Sequence, residues 1–113
     1  MNNITINGAW IIALPAILMA LDIITGFLCG LKQKKIDSSK MRAGFFKKIG
    51  ELIMLVTVMM LCAILGFNKA IGVATSLYLI VTELISLTEN LDSLGVKVPN
   101  FLKDILNKAN EVK

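Results

Sequence analysis

The sequence predicts an all-α integral membrane protein with three transmembrane helices and a C-terminal amphipathic helix. Three observations carry this prediction. Of the 113 residues, 56% are hydrophobic and only 18% charged, against about 45–50% and about 25% in soluble domains; mean hydropathy is +0.75. The apolar residues gather into three long runs, at about 9–31, 49–66 and 70–88. The basic residues gather between and after these runs. A soluble chain this short has no core that hides three such runs, and its length allows one domain over residues 1–113.

The first run, AWIIALPAILMALDIITGFLCGL, reaches roughly 34 Å as a helix, enough for a hydrocarbon core of about 30 Å. It lacks the basic leader and short apolar stretch of a cleaved signal peptide. Pro15 either kinks this helix or marks a frayed first turn. The second and third runs are separated only by Phe67, Asn68 and Lys69, so a tight helical hairpin is expected. Met41, Phe45, Ile49 and Leu52 extend the second apolar stripe backwards. One helix from about Lys40 to Gly66 follows, with Ser38 or Ser39 as its cap.

Orientation is read from the cations. The basic loop over 32–48 holds Lys32, Lys34, Lys35, Lys40, Arg42, Lys47 and Lys48, and Lys97, Lys103, Lys108 and Lys113 follow the third run. The hairpin turn has only Lys69, and the N-terminal arm has no charged side chain. The positive-inside rule then gives a multi-pass protein with its N-terminus out and C-terminus in. Net charge is +4, which would permit nucleic-acid binding. Because the cluster lies between two spans, lipid headgroups are the expected partner and nucleic acid is not.

Asp22, Glu51 and Glu83 sit within or at the edge of the three apolar runs. An acid near a helix centre costs roughly 2.5–3.5 kcal/mol on insertion scales, so it is usually retained for a role. All three fall in the cytoplasmic half of the predicted topology. They face a shared polar lumen or pair with snorkelling Lys47 and Lys48; for Glu51 a plain interfacial position beside Lys47 is the alternative. Small residues share these faces. Asp22, Gly26 and Gly30 recur every fourth residue, and Gly72, Ser76, Leu79, Glu83, Ser86 and Asn90 form one stripe of the third run. Gly26, Gly30, Gly72 and Ser76 are therefore candidate helix-packing positions, within or between protomers.

After the third run, Leu94 and Gly95 read as a helix stop and Pro99 as the first turn of a new helix. Phe101, Leu102, Ile105, Leu106 and Ala109 then share one face, giving an amphipathic helix over about 99–111. It is expected to lie on the inner membrane surface or against a neighbour, or to fold on its own protein. There is no histidine. Cys29 and Cys62 fall at different depths and suit neither a disulfide nor a metal site. No phosphate loop, nucleophile motif or cofactor signature is present. An enzyme is not expected.

The string LDIITGFLCGLKQKKIDSSKMRAGFFKKIGEL and the later TELISLTENLDSLGVKVPNFLKDIL resemble the toxin-secretion/phage-lysis holin family of Gram-positive bacteria and their phages. The matching positions are Leu21, Asp22, Thr25 and Gly26; Ser38, Ser39, Arg42, Gly44, Lys47, Lys48 and Glu51; and Glu83, Ser86, Glu89, Asn90, Leu91, Leu94, Gly95, Val96, Pro99 and Leu102. Lys40-Met41 and Lys97 depart from the pattern locally. The resemblance implies a protein that accumulates in the bacterial cytoplasmic membrane, forms homo-oligomers and opens holes at a set time. An endolysin or a large toxin would pass through them. The resemblance assigns no catalytic residues. Other readings remain open: an antiholin-like regulator, or a small ion-channel or transporter subunit.

Overall fold

A computed structural model describes residues 8–112, which form four helices: α1 (Gly8–Gln33), α2 (Ser38–Leu65), α3 (Ala70–Ser93) and α4 (Asn100–Val112). The first three are long and apolar enough to cross a membrane. The uncharged N-terminal arm, residues 1–7, lies outside the described residues.

Each boundary has a local cause. α1 ends where Lys34 takes a left-handed conformation, φ 58°, and Lys35 N–H returns to the Gly30 carbonyl at 2.9 Å. This closing turn satisfies carbonyls that the helix end leaves free. α2 starts earlier than the apolar stripe alone indicated. Its cap is Asp37, not Ser38 or Ser39: the Asp37 carboxylate accepts the Lys40 N–H at 3.1 Å, the usual service of an N-cap acid. α2 stops at Gly66, φ 75°, a conformation cheap for glycine. Asn68 then accepts the Ala70 N–H at 2.9 Å, which starts α3 after a short turn. Gly95, φ 91°, ends α3, with Val96 N–H on the Leu91 carbonyl at 2.9 Å.

The linker between α1 and α2, the end of α3 and α4 lie at one end of the bundle, called here the tail side; the α2–α3 hairpin marks the turn side. Lys32 Nζ donates to the Ser93 carbonyl at 2.9 Å, tying the tail-side ends of α1 and α3 together. α1 and α3 are the closely packed pair. α3 contributes Gly72, Ser76, Leu79 and Glu83 to the buried interior, whereas α2 contributes only Leu55 as a buried residue. The apolar core is Ile11, Met19, Leu55 and Leu79, flanked by Ile12, Leu52, Met59 and Val73. Many large apolar side chains, including Ile24, Ile53, Met60, Ile64 and Leu77, point outward and are exposed. That inversion suits a lipid-facing surface.

Pro15 lies inside α1 and is fully buried. A proline has no N–H for the carbonyl four residues earlier, here that of Ile11. The Ser76 hydroxyl of α3 donates to that carbonyl at 2.6 Å. Inside an apolar layer an unsatisfied carbonyl would cost several kcal/mol, so this cross-helix bond repairs the break. α4 turns back toward the bundle. Leu106 is buried while Phe101 and Ile105 are exposed, and Lys103 pairs with Asp92 at 3.0 Å.

Candidate functional site

Three charged residues meet at one depth. Asp22 lies eleven residues before the end of α1 at Gln33, Lys48 ten after the start of α2 at Ser38, and Glu83 ten before the end of α3 at Ser93. At about 1.5 Å per residue, all three stand roughly 15 Å in from the tail-side helix ends. The Lys48 ammonium sits 2.9 Å from Asp22 Oδ2 and 2.9 Å from Glu83 Oε1. One cation therefore bridges two carboxylates on two other helices. The side chains are 18%, 9% and 2% exposed for Lys48, Asp22 and Glu83.

Asn90 completes the arrangement from α3. Its amide Nδ2 lies 2.7 Å from Asp22 Oδ1, 3.2 Å from the Asp22 carbonyl and 3.0 Å from Thr25 Oγ1. Two N–H groups are shared among these three acceptors. The Thr25 hydroxyl donates back to the Leu21 carbonyl at 2.9 Å. Both Asp22 oxygens are thus held, one by a cation and one by an amide. With every group ionised the triad carries one net negative charge. It is a fixed polar centre joining all three spans, and such centres in membranes rarely persist without a role.

The seven cations of the basic segment divide. Lys34, Lys35, Lys40, Arg42 and Lys47 are exposed around the tail side. Lys32 is also exposed and engages Ser93. Lys48 alone among them turns inward, because Lys48, Leu52, Leu55 and Met59 follow one inward stripe of α2. Glu51, three residues on, is half-exposed and stands apart from the triad. The small residues lie at close approaches within the chain. Gly26 faces the Asn90 amide, where a Cβ would stand 3.7 Å away. At Gly30 a Cβ would lie 3.1 Å from the Lys35 carbonyl oxygen and 3.3 Å from Ile36 Cγ1. At Gly72 it would run into the Met59 sulfur.

Sequence reasoning placed Asn90 on the stripe of Glu83 but did not foresee it as the Asp22 donor. It also gave Thr25 no contact. The usable signal was spacing: Thr25 is one turn from Asp22, and Asn90 is two turns from Glu83. Cys29 donates to the Asn90 carbonyl at 3.3 Å, and Cys62 lies near the hairpin with its sulfur 3.7 Å from the Asn68 carbonyl. Both thiols are free.

Comparison with known proteins agrees with these features. Residues 4–111 match the model of the bacteriophage holin family. A probable holin of Bacillus phage phi105 is 32% identical over 94 residues, covering 83% of this chain and 70% of the phage protein. An uncharacterised protein of Clostridium perfringens strain 13 is 35% identical over 109 residues, 93% of this chain and 80% of its own length. An uncharacterised Bacillus subtilis protein is 28% identical over 107 residues, 95% of this chain and 76% of its own. No solved structure matches the chain significantly. The matched region takes in all three spans and the triad, and the chain belongs to the bacteriophage holin family.

Proposed function

We propose that the chain is a holin of the bacterial cytoplasmic membrane that forms homo-oligomers and opens holes through which an endolysin or a large toxin passes. The observation that carries this reading is the Lys48 bridge to Asp22 and Glu83, buried midway along three spans. A single protomer keeps its polar centre away from lipid and offers lipid an apolar exterior. In an assembly the same groups would line a wet lumen. α2 is the helix that would move, since Leu55 and the Lys48 bridge are its main inward ties. Asp22, Glu83, Lys48 and Asn90 would then face water, with Glu51 near the lumen rim. Gly26, Gly30, Gly72 and Ser76 would let the helices approach closely before and after that change.

In this reading the N-terminus and hairpin turn face outward, and the basic linker and α4 face the cytoplasm. Lys32, Lys34, Lys35, Lys40, Arg42 and Lys47 would sit among anionic headgroups. Action is by assembly, without catalysis. The test is induced expression in bacteria with and without a cytosolic endolysin, recording turbidity and membrane potential together. Abrupt depolarisation followed by endolysin-dependent lysis after a delay is expected. A slow, graded ion leak with the endolysin retained would overturn the reading in favour of a channel subunit. No effect alone, with delayed lysis by another holin, would make the chain an antiholin.

A further inference from the structure

The polar and apolar parts of the bundle interior are segregated along its axis. On the tail side a cleft of about 550 Å³ opens between α1 and the first turns of α2. Its mouth carries Lys35 and Lys40, its walls include Gly30 and Cys29, and its floor is Asp22 with Lys48. Glycines at 26, 30 and 44 supply no side chains to fill it. On the turn side of the triad the character reverses. Met19 is three residues before Asp22, Leu52 four after Lys48 and Leu79 four before Glu83, so each helix places an apolar side chain one turn beyond its charge. Met19, Leu55 and Leu79 are 2%, 0% and 0% exposed.

We infer that the three-helix unit is a half-channel: an aqueous vestibule admits water and small hydrophilic solutes from the tail side to Asp22 and Lys48, and the Met19–Leu55–Leu79 layer seals the turn side. The chemistry requires no oligomer. Ile23, Phe27 and Phe45 line part of the cleft, but its ion-pair floor and its charged mouth at Lys35, Asp37 and Lys40 are better solvated by water than by acyl chains. The dry layer beneath it offers water no partners. The vestibule would also keep Asp22 and Lys48 hydrated deep within the membrane, lowering the cost of holding charge there. This inference rests on the membrane-spanning reading and is independent of whether the protein lyses cells.

The native Cys29 is a reporter in the cleft wall. A C62A chain leaves it as the sole thiol, since the sequence has two cysteines. In membrane vesicles that still retain an entrapped dye, so that no large hole is open, the probe is a cationic, membrane-impermeant methanethiosulfonate. K35C in the C29S/C62A background, at the cleft mouth, identifies the tail side. L28C in the same background places a thiol next along α1, on a residue that is 43% exposed and outside the cleft. Thiols in hydrocarbon stay protonated and react slowly, so Cys29 should label from the tail side roughly tenfold faster than L28C. M19C and L79C, on different helices, should stay unlabelled from both sides. Equal rates at 28 and 29 would overturn the vestibule. Labelling of both layer positions at the rate of Cys29 would overturn the seal. Either result leaves the lysis assay unaffected, so failure of this inference and failure of the holin reading are distinguishable.

Discussion

Replacing Lys48 with methionine keeps an apolar stem of similar length and removes the charge that links three helices. Two contacts of 2.9 Å are lost. With charge centres near 4 Å and an effective dielectric of about 20, each pair is worth about 4 kcal/mol before opposing terms. Repulsion between the two carboxylates and desolvation of all three groups oppose this. The expected loss is therefore about 3–5 kcal/mol, the range for deleting one partner of a buried pair. Asp22→Asn or Glu83→Gln is different in kind. Each leaves Lys48 with one carboxylate and brings the triad to zero net charge, so about 1–2 kcal/mol is expected. The triple variant K48M/D22N/E83Q strands no charge and should recover most of the K48M loss. The assay is unfolding in mixed micelles with rising dodecyl sulfate, followed by fluorescence of Trp10, the one tryptophan, and by far-UV circular dichroism. Wild-type stability in K48M, or a triple variant weaker than K48M, would refute the reasoning.

Other substitutions probe separate terms. Leu55 is fully buried, so L55A should cost about 2–5 kcal/mol in the same unfolding assay. N90A removes the amide from Asp22 and Thr25 and should cost about 1–3 kcal/mol, while N90D, which adds a carboxylate beside Asp22, should be worse. G72V forces the Met59 side chain aside and should cost about 1–3 kcal/mol by overpacking; M59A in the same chain should restore part of it. K103E breaks the exposed pair with Asp92 and should change stability by no more than about 1 kcal/mol. In the expression assay, D22N and E83Q should shift the onset of lysis, and unchanged onset in both would remove the acids from the proposed opening step.

The spans were legible because hydropathy is a local property: each run is long enough to cross a bilayer and is bounded by charge or by turn residues. The end of α3 was legible at Gly95 for the same reason, a local backbone preference. The cap of α2 was not, since Asp37, Ser38 and Ser39 are all competent caps and only the path of the linker from Lys34 selects among them. The site was half legible. Asp22 and Glu83 stand out as acids in apolar sequence. Lys48 was legible only as one of two candidate partners for these acids, because it adjoins Lys47 and both belong by composition to the headgroup cluster. What separates the two lysines is a rotation of about 100° per residue, which turns one inward and the other outward. Glu51 shows the same limit in reverse: its sequence setting resembles that of the other acids, yet its side chain is half-exposed and takes no part in the ion pairs to Lys48. Pairing of Asn90 with Asp22 depends on how α1 and α3 are set against each other, a long-range matter no local pattern encodes.

The bond from Ser76 to the Ile11 carbonyl bears on how the protein is made. Residues of α1 emerge from the ribosome well before Ser76, and Pro15 leaves the Ile11 carbonyl without its usual helical donor. Until α3 arrives, the first span carries a backbone defect in an otherwise apolar stretch, together with an acid that has neither Lys48 nor Asn90 beside it. Membrane insertion of this chain is therefore expected to be cooperative in time: the first helix remains provisional, retained near the insertion machinery or hydrated at the interface, until the third one docks and completes it.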